Sequence, residues 1–313
     1  QIQRLWPRLL PLPPRENNKS KEAASFLFDI SVIIPAHRER GNQVRNKLRR
    51  ARQTCRNPAR IEIIVVDAGD CIDLDSSLQD MSSLWGRFSI VSSGGTVSGG
   101  RGPCLNYGAS KATGRILSFV HSDTTLPPQW DRSILIALDG NGKKSSNGVR
   151  ATACAFSFGI DTSMEGLNGG PLPPGIKAVE TTANWRTHMY SLPYGDQALS
   201  IPAVIFQYLG GFPDQCLMED YELVSLLRRR AALLPQWGVK EKERVVIIGG
   251  KPALCSPRRW QKFGVLYVTF MNSRLVNLYA SGHTPDSIFL HYYGVPPPHR
   301  SSSLAPWEET LSS

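Results

Sequence analysis

No stretch of the chain approaches the ~18 consecutive apolar residues that a membrane-spanning helix needs. A soluble or peripheral protein, cytoplasmic or organellar, is the expectation, with the compartment left open. It begins at Gln1 and not at Met, so an upstream targeting or anchor segment stays an open expectation. The six cysteines, Cys55, Cys71, Cys104, Cys154, Cys216 and Cys255, are scattered and make no CxxC pair. That spacing argues against structural zinc. A domain this large does not need disulfides, so thiols in a reducing compartment are expected, although the even count leaves bridges open. The GxGxxG and P-loop patterns are missing, and so is any internal repeat. Zinc-finger spacing and interleaved basic and aromatic runs are missing too, which sets nucleic acid aside as a partner.

What is present is enough for a core. The chain has 313 residues, 41% hydrophobic and 20% charged, which suits one large core or two modest ones. Its net charge is +10, from 36 basic against 26 acidic residues. A basic surface suits phosphorylated ligands or anionic membrane surfaces. Residues 1–27, with Leu10-Pro11-Leu12-Pro13-Pro14, read as a flexible extension. Residues 295–313, with Pro296-Pro297-Pro298 and Ser301-Ser302-Ser303, read as a flexible tail.

Between these ends the pattern alternates. Short apolar runs at Ile30 to Ile34, Ile61 to Val66, Phe88 to Val91 and Ile116 to Val120 read as buried strands. Helical stretches are expected at Gln43 to Thr54, Leu74 to Leu84 and Leu105 to Ala112. The second half is less regular, with Gly- and Pro-rich loops at Gly140 to Gly148 and Gly166 to Gly175. A helix is expected there from Glu219 to Arg230, and a longer one from Trp260 to Tyr279. Strands alternating with helices mean an α/β fold with a mostly parallel sheet. Such sheets bind ligands beyond the carboxyl ends of their strands.

The residues after each strand are therefore the ones to inspect. Strand one delivers Pro35, Ala36, His37, Arg38 and Glu39; strand two delivers Asp67; the strand ending at Val120 delivers His121, Ser122 and Asp123. One carboxylate on the base or ribose and another on a metal make a workable nucleotide site, since Mg2+ or Mn2+ takes hard oxygen ligands and bridges through phosphate. A single strand-end Asp is often only a loop cap. Two at successive sheet edges weaken that reading. Gly94, Gly95, Gly99 and Gly100 precede Arg101, a loop that suits a diphosphate or simply a mobile turn. Met218-Glu219-Asp220-Tyr221-Glu222 opens a helix, where carboxylates are also favoured by the dipole alone. Tyr194-Gly195-Asp196-Gln197 reads as a turn or a ligand contact. Arg258-Arg259-Trp260 reads as a phosphate or acceptor clamp or as a helix start with one buried Trp.

Taken together these segments resemble glycosyltransferase family 2. The resemblance is carried by Ser31-Val32-Ile33-Ile34-Pro35 with Glu39, by Val65-Val66-Asp67-Ala68-Gly69, and by Arg101 with Asn106-Tyr107-Gly108-Ala109. His121-Ser122-Asp123-Thr124 lies where that family carries its DxD-type metal motif, with His121 in place of a common first Asp. Gly210-Gly211-Phe212-Pro213 and Met218-Glu219-Asp220-Tyr221-Glu222-Leu223 resemble its acceptor-side motif. Leu126-Pro127-Pro128, Leu192-Pro193-Tyr194-Gly195-Asp196-Gln197 and Arg258-Arg259-Trp260 are similar to a small subfamily labelled arsenosugar biosynthesis glycosyltransferases.

The resemblance implies a GT-A three-layer sandwich over residues 28–294, with a nucleotide-binding half at 28–130 and an acceptor half with C-terminal helices at 131–294. It implies inverting transfer of a sugar from a nucleotide diphosphate donor, UDP-type, to a small-molecule or lipid-linked acceptor, with peripheral membrane contact open. Asp220 is the implied base, supported by Glu219, and Asp123 the ligand of Mn2+ or Mg2+. Pro35, Ala36, His37, Glu39, Asp67, Arg101, Asn106, Ser122, Asp196, Gln197, Arg259 and Trp260 are the implied donor contacts. A sugar nucleotidyltransferase is the alternative from another reaction class, but Ala36-His37-Arg38-Glu39-Arg40 lacks the glycines its first loop would need. A non-catalytic sugar-nucleotide-binding protein would not need both Asp123 and Asp220.

Overall fold

A computed structural model of the chain describes residues 26–37, 39–69, 71–92, 100–139, 149–163, 167, 170–237 and 242–297. The expected extension at 1–27 and tail at 295–313 lie almost wholly outside these residues. So do Arg38, Gly94, Gly95, Gly99 and the loop at 140–148.

The apolar runs of the first half form strands. β1 (Phe28–Ala36), β2 (Ile61–Asp67), β3 (Arg87–Ser92) and β4 (Gly114–Phe119) are parallel neighbours in the order β3-β2-β1-β4. β1, β2 and β4 are covered on both faces, while β3, at the sheet edge, is only half-buried. Between them run α1 (Gly41–Thr54), the short α2 (Leu74–Leu78) and α3 (Arg101–Lys111). After β4 come α4 (Trp130–Asp139), β5 (Val149–Ile160), α5 (Ile176–Tyr190), β6 (Leu199–Pro202) and α6 (Ala203–Tyr208). The chain continues with α7 (Glu219–Leu233), β7 (Lys242–Cys255), α8 (Arg258–Phe263), α9 (Val265–Ala280) and α10 (Pro285–Tyr293). One seven-stranded sheet results, ordered β3-β2-β1-β4-β6-β5-β7. Only β6 runs against its neighbours, so the sheet is mostly parallel, as expected.

Side chains alternate along a strand. On β1, Ile30, Val32 and Ile34 enter one core, with Val44 and Leu48 of α1 and Trp130 and Ile134 of α4. Ile33 enters the other, with Leu105 of α3 and Leu223, Val224 and Leu227 of α7. The result is three layers, helices on both faces of one sheet. α3 sits close because residue 108 is glycine: a Cβ there would lie 2.5 Å from Ile33 Cγ2 and 2.7 Å from Val66 Cγ2. This close approach carries Arg101, at the helix start, to the carboxyl end of the sheet.

Two expected helices are corrected. The stretch from Leu74 to Leu84 is α2 followed by a 3-10 turn, Gln79–Ser83. The long helix expected from Trp260 to Tyr279 is two helices, α8 and α9. Gly264 lies between them at φ +80°, left-handed backbone that ends α8 while its N–H still bonds Trp260 O at 2.8 Å. None of the six cysteines forms a disulfide, and no helix among the described residues is long and apolar enough to cross a membrane.

Candidate active site

Parallel pairing sets the ends of β2, β1 and β4 side by side. Ala36 is in register with Asp67, and Val120 N bonds Ile33 O at 3.0 Å. The strand-end residues picked from the sequence thus share one edge. Pro35 is half-buried, Ala36 buried and His37 exposed there, and Asp67 accepts the Gly69 N–H at 2.9 Å.

Two groups of polar side chains line this edge. In the first, Ser122 Oγ donates to Glu39 Oε1 at 3.0 Å. Arg258, from the start of α8, reaches both Asp123 Oδ2 (3.2 Å) and Glu39 Oε1 (3.5 Å). In the second, Arg101 makes a 2.5 Å ion pair with Glu219 Oε1 and contacts His121 Nε2 at 2.9 Å and Asp220 Oδ2 at 3.4 Å. The start of α7 thereby meets the end of β4. Gly195 is pressed into the same junction: its N–H donates to Asp220 Oδ2 at 2.8 Å, and a Cβ there would lie 2.7 Å from His121 Nε2. Tyr221 N–H donates to Asp220 Oδ1 at 2.7 Å.

The electrostatics follow from burial among like and unlike charges. Burial, then the Arg101 charge, holds the His121 imidazole well below its usual range, so it stays neutral beside the guanidinium. Burial raises the Glu219 carboxyl, and Arg101 offsets only part of that rise. Burial, then repulsion from Asp220, pushes the Asp196 carboxyl up to about 6.

Several residues expected at the ligand are bonded or packed elsewhere. Asn106 holds the Phe212 backbone from both sides, with Nδ2 to the carbonyl and Oδ1 to the N–H, each at 2.9 Å. Gln197 is fully buried, donating to Phe156 O (2.8 Å) and accepting from Tyr194 N (3.0 Å) and Thr187 Oγ1 (3.2 Å). Trp260 is buried against Phe158, with ring centroids 6.2 Å apart. Arg259 turns to Tyr292 and to Asn272 Oδ1, so Arg258, not its neighbour, stands at Asp123. Arg258 is the site residue that the sequence did not separate from its neighbour. Among the described residues no three His, Cys, Asp or Glu side chains gather into a metal cage.

Residues 31–167 match the glycosyl transferase family 2 model. No curated protein sequence matches the chain significantly. Among solved structures, S. aureus TarS 1-349 is similar at 14% identity and TM-score 0.51, over 85% of this chain and 71% of that one. The same protein in complex with UDP-GlcNAc gives 14% identity and TM-score 0.50, over 73% of this chain. In that pairing the chain spans 58% of the TarS length. Glucosyl-3-phosphoglycerate synthase from Mycobacterium tuberculosis, in complex with Mn2+, UDP and glucosyl-3-phosphoglycerate, aligns at 14% identity over 96% of this chain and 98% of that chain, with TM-score 0.48. The family match runs over the same strands as the first part of the sheet, β1 to β5, and the fold is the GT-A fold.

Proposed function

We propose that the chain is an inverting glycosyltransferase that moves a sugar from a nucleotide diphosphate donor, of the UDP type, to an acceptor hydroxyl. The observation that carries this reading is the convergence of Asp67, Asp123 and Asp220 on one edge of the sheet. Asp67, at the end of β2, takes the base or ribose. Asp220 takes the acceptor proton as the oxygen attacks the anomeric carbon. Each of its oxygens already accepts one backbone N–H, which fixes the carboxylate in place and leaves lone pairs for the acceptor hydroxyl. Glu219 is spent on Arg101, and so supports the site without facing the acceptor.

The residues present fit a divalent cation shared with the donor. Asp123 is a hard oxygen ligand, and Mg2+ is commonly held by one or two carboxylates completed by substrate phosphates. Mn2+ suits the same oxygen set. Such a cation supplies Lewis-acid stabilisation of the leaving diphosphate. Arg258 brings a guanidinium to the same place, where it pairs with diphosphate oxygens. The UDP-GlcNAc bound to TarS supports a UDP-sugar donor. A screen of nucleotide sugars by thermal shift and nucleotide release tests the reading. At least one UDP-sugar should stabilise the protein and be turned over. Asp67→Ala should weaken free UDP about tenfold or more, the loss expected for a hydrogen bond to a charged group. Release of pyrophosphate from a nucleoside triphosphate would instead favour a nucleotidyltransferase.

For the acceptor, one observation favours a lipid-linked molecule over a soluble one. Beyond Arg258, Phe263, Leu266, Tyr267 and Phe270 are exposed at helical spacing, Leu266 at 86%. Lys262 lies 5.0 Å from the Phe263 ring and Arg259 lies 5.1 Å from that of Tyr292. Residues 256–297 carry four Lys or Arg and one acid, Asp286, so the face is basic as well as aromatic. Such a face suits an anionic bilayer surface. The protein should float with anionic vesicles and not with neutral ones, and Leu266→Asp with Phe270→Asp should abolish flotation. A concentration-dependent dimer broken by the same pair would assign the face to a second copy.

A further inference from the structure

Arg186 carries a charge that the fold does not spend. It lies in α5, in a turn of helix pinned on both sides of it. Two residues earlier, Asn184 holds the Phe158 backbone, with Oδ1 to the N–H and Nδ2 to the carbonyl, each at 2.8 Å. One residue later, Thr187 is buried and bonds Gln197 Oε1 at 3.2 Å. The helix cannot roll Arg186 away without breaking these bonds. The guanidinium lies over the Tyr194 ring, 3.6 Å from its centroid.

An aromatic ring attracts the cation but takes none of its five N–H donors in a normal hydrogen bond. Among the described residues Arg186 makes no hydrogen bond and no ion pair, and its Nε is buried without a partner. The acids nearby do not claim it. Asp220 is met by the N–H groups of Gly195 and Tyr221 and by Arg101. Asp196, two residues past Tyr194, is not bonded to Arg186, and its Oδ1 lacks a partner too. An unmet buried donor costs about 1–3 kcal/mol, so a guanidinium kept in this state is completed by something that the chain does not supply. Its place says what. Tyr194 leads directly into Gly195, whose N–H holds Asp220 Oδ2 at 2.8 Å. Arg186 therefore stands on the wall beside the proposed base. The donor's diphosphate is assigned to Asp123 and Arg258, so an anion at Arg186 belongs to the other substrate.

We propose that Arg186 binds a phosphate group of the acceptor, next to the hydroxyl that receives the sugar. Its planar fork pairs with phosphate oxygens through two N–H groups at once. The inference rests on the nucleotide-sugar reading above, and a phosphate of this kind is carried by a soluble phosphate ester or by a lipid headgroup.

The test titrates inorganic phosphate by calorimetry into the full chain loaded with UDP and Mg2+, which fill the diphosphate place. The unaltered protein is compared with Arg186→Met, which keeps an apolar chain against the Tyr194 ring, and with Arg186→Lys, which keeps the charge without the fork. Phosphate should bind the unaltered protein. Its affinity should fall about 10- to 100-fold in Arg186→Met, the loss expected for a charged hydrogen bond, and fall less in Arg186→Lys. Melting temperature should hold, and UDP affinity should stay within twofold. Glycerol 3-phosphate and vesicles of phosphatidic acid then compete for the same site. Displacement by the first marks a soluble acceptor and by the second a lipid-linked one, while displacement by neither overturns the acceptor assignment. Equal phosphate binding by the unaltered protein and Arg186→Met, or none by either, overturns the proposal. A fall in melting temperature and UDP affinity together in both variants overturns it too, by making Arg186 a structural support of Tyr194. If UDP itself does not bind, the donor reading fails, and the same titration on the free protein still decides whether Arg186 holds phosphate.

Discussion

Asp220→Asn keeps the fold and donor affinity and loses sugar transfer by about 10²-fold or more, as expected when a positioned general base is removed. The structure separates the two acids that open α7. Glu219 is 1% exposed and locked to Arg101; Asp220 is 16% exposed and is the one whose oxygens border the cleft. The rival role for Asp220 is to stabilise the start of the helix. The residue at the N-cap position is Met218, in left-handed backbone at φ 67° with no side-chain cap bond. Within α7, Asp220 bonds the N–H of Tyr221, next in sequence, and its other oxygen bonds Gly195 N–H outside the helix. Loss of a capping role would cost about 1 kcal/mol and leave turnover intact. Asparagine still offers an oxygen to the Gly195 N–H, so the turn at 195–197 stays in place while the basic oxygen is lost. Melting temperature, UDP-sugar affinity and turnover, measured on one variant, separate the outcomes. A near-normal transfer rate would make the base assignment wrong.

Much of the nucleotide-binding half was legible because its strands carry their own signal. β1, β2 and β4 are covered on both faces, so Ile30 to Ile34, Ile61 to Val66 and Ile116 to Val120 read as continuous apolar runs. β5 and β7 gave no such signal. β5 is built largely of small residues, Ala151-Thr152-Ala153-Cys154-Ala155, and β7 carries Gly249-Gly250-Lys251-Pro252 at its centre. They are strands because they pair with each other, with register shifts at Ala151/Ala153 and Phe156/Phe158, and that pairing is long-range information. The site divides in the same way. Glu39, Ser122 and Asp123 follow from strand ends and share one hydrogen-bonded cluster with Arg258. The choice of Arg258 over Arg259 did not follow, because successive helical residues point about 100° apart and local sequence does not fix the phase of a six-residue helix. Asn106 and Gln197 stood in motif segments and read as ligand contacts, yet each clamps backbone across a long sequence gap. A polar residue in a functional segment can serve the site by holding its walls.

Donor binding should require a divalent ion, and Asp123→Ala should abolish that requirement together with most of the affinity. The argument is one of charge. A nucleotide diphosphate brings at least two negative charges to an edge that already holds Glu39, Asp67 and Asp123. Arg258 faces two of those acids, Glu39 at 3.5 Å and Asp123 at 3.2 Å. Its single positive charge is shared between those acids and the diphosphate, so a cation on Asp123 is the expected source of the remaining positive charge. In the unaltered protein, UDP-sugar at 100 times its Kd with Mn2+ should raise stability by about 2.7 kcal/mol, and in chelator by almost nothing. In Asp123→Ala the two conditions should coincide near the lower value, with the melting temperature of the free protein little changed because Asp123 is partly exposed at the sheet edge. Arg258→Ala distinguishes loss of the cation ligand from loss of the ion pair. It breaks the same pair but should keep the metal dependence, with donor affinity reduced at every Mn2+ concentration. UDP-sugar binding that is equally tight in chelator and in Mn2+ would remove the cation from this site and leave Arg258 as the group that meets the diphosphate.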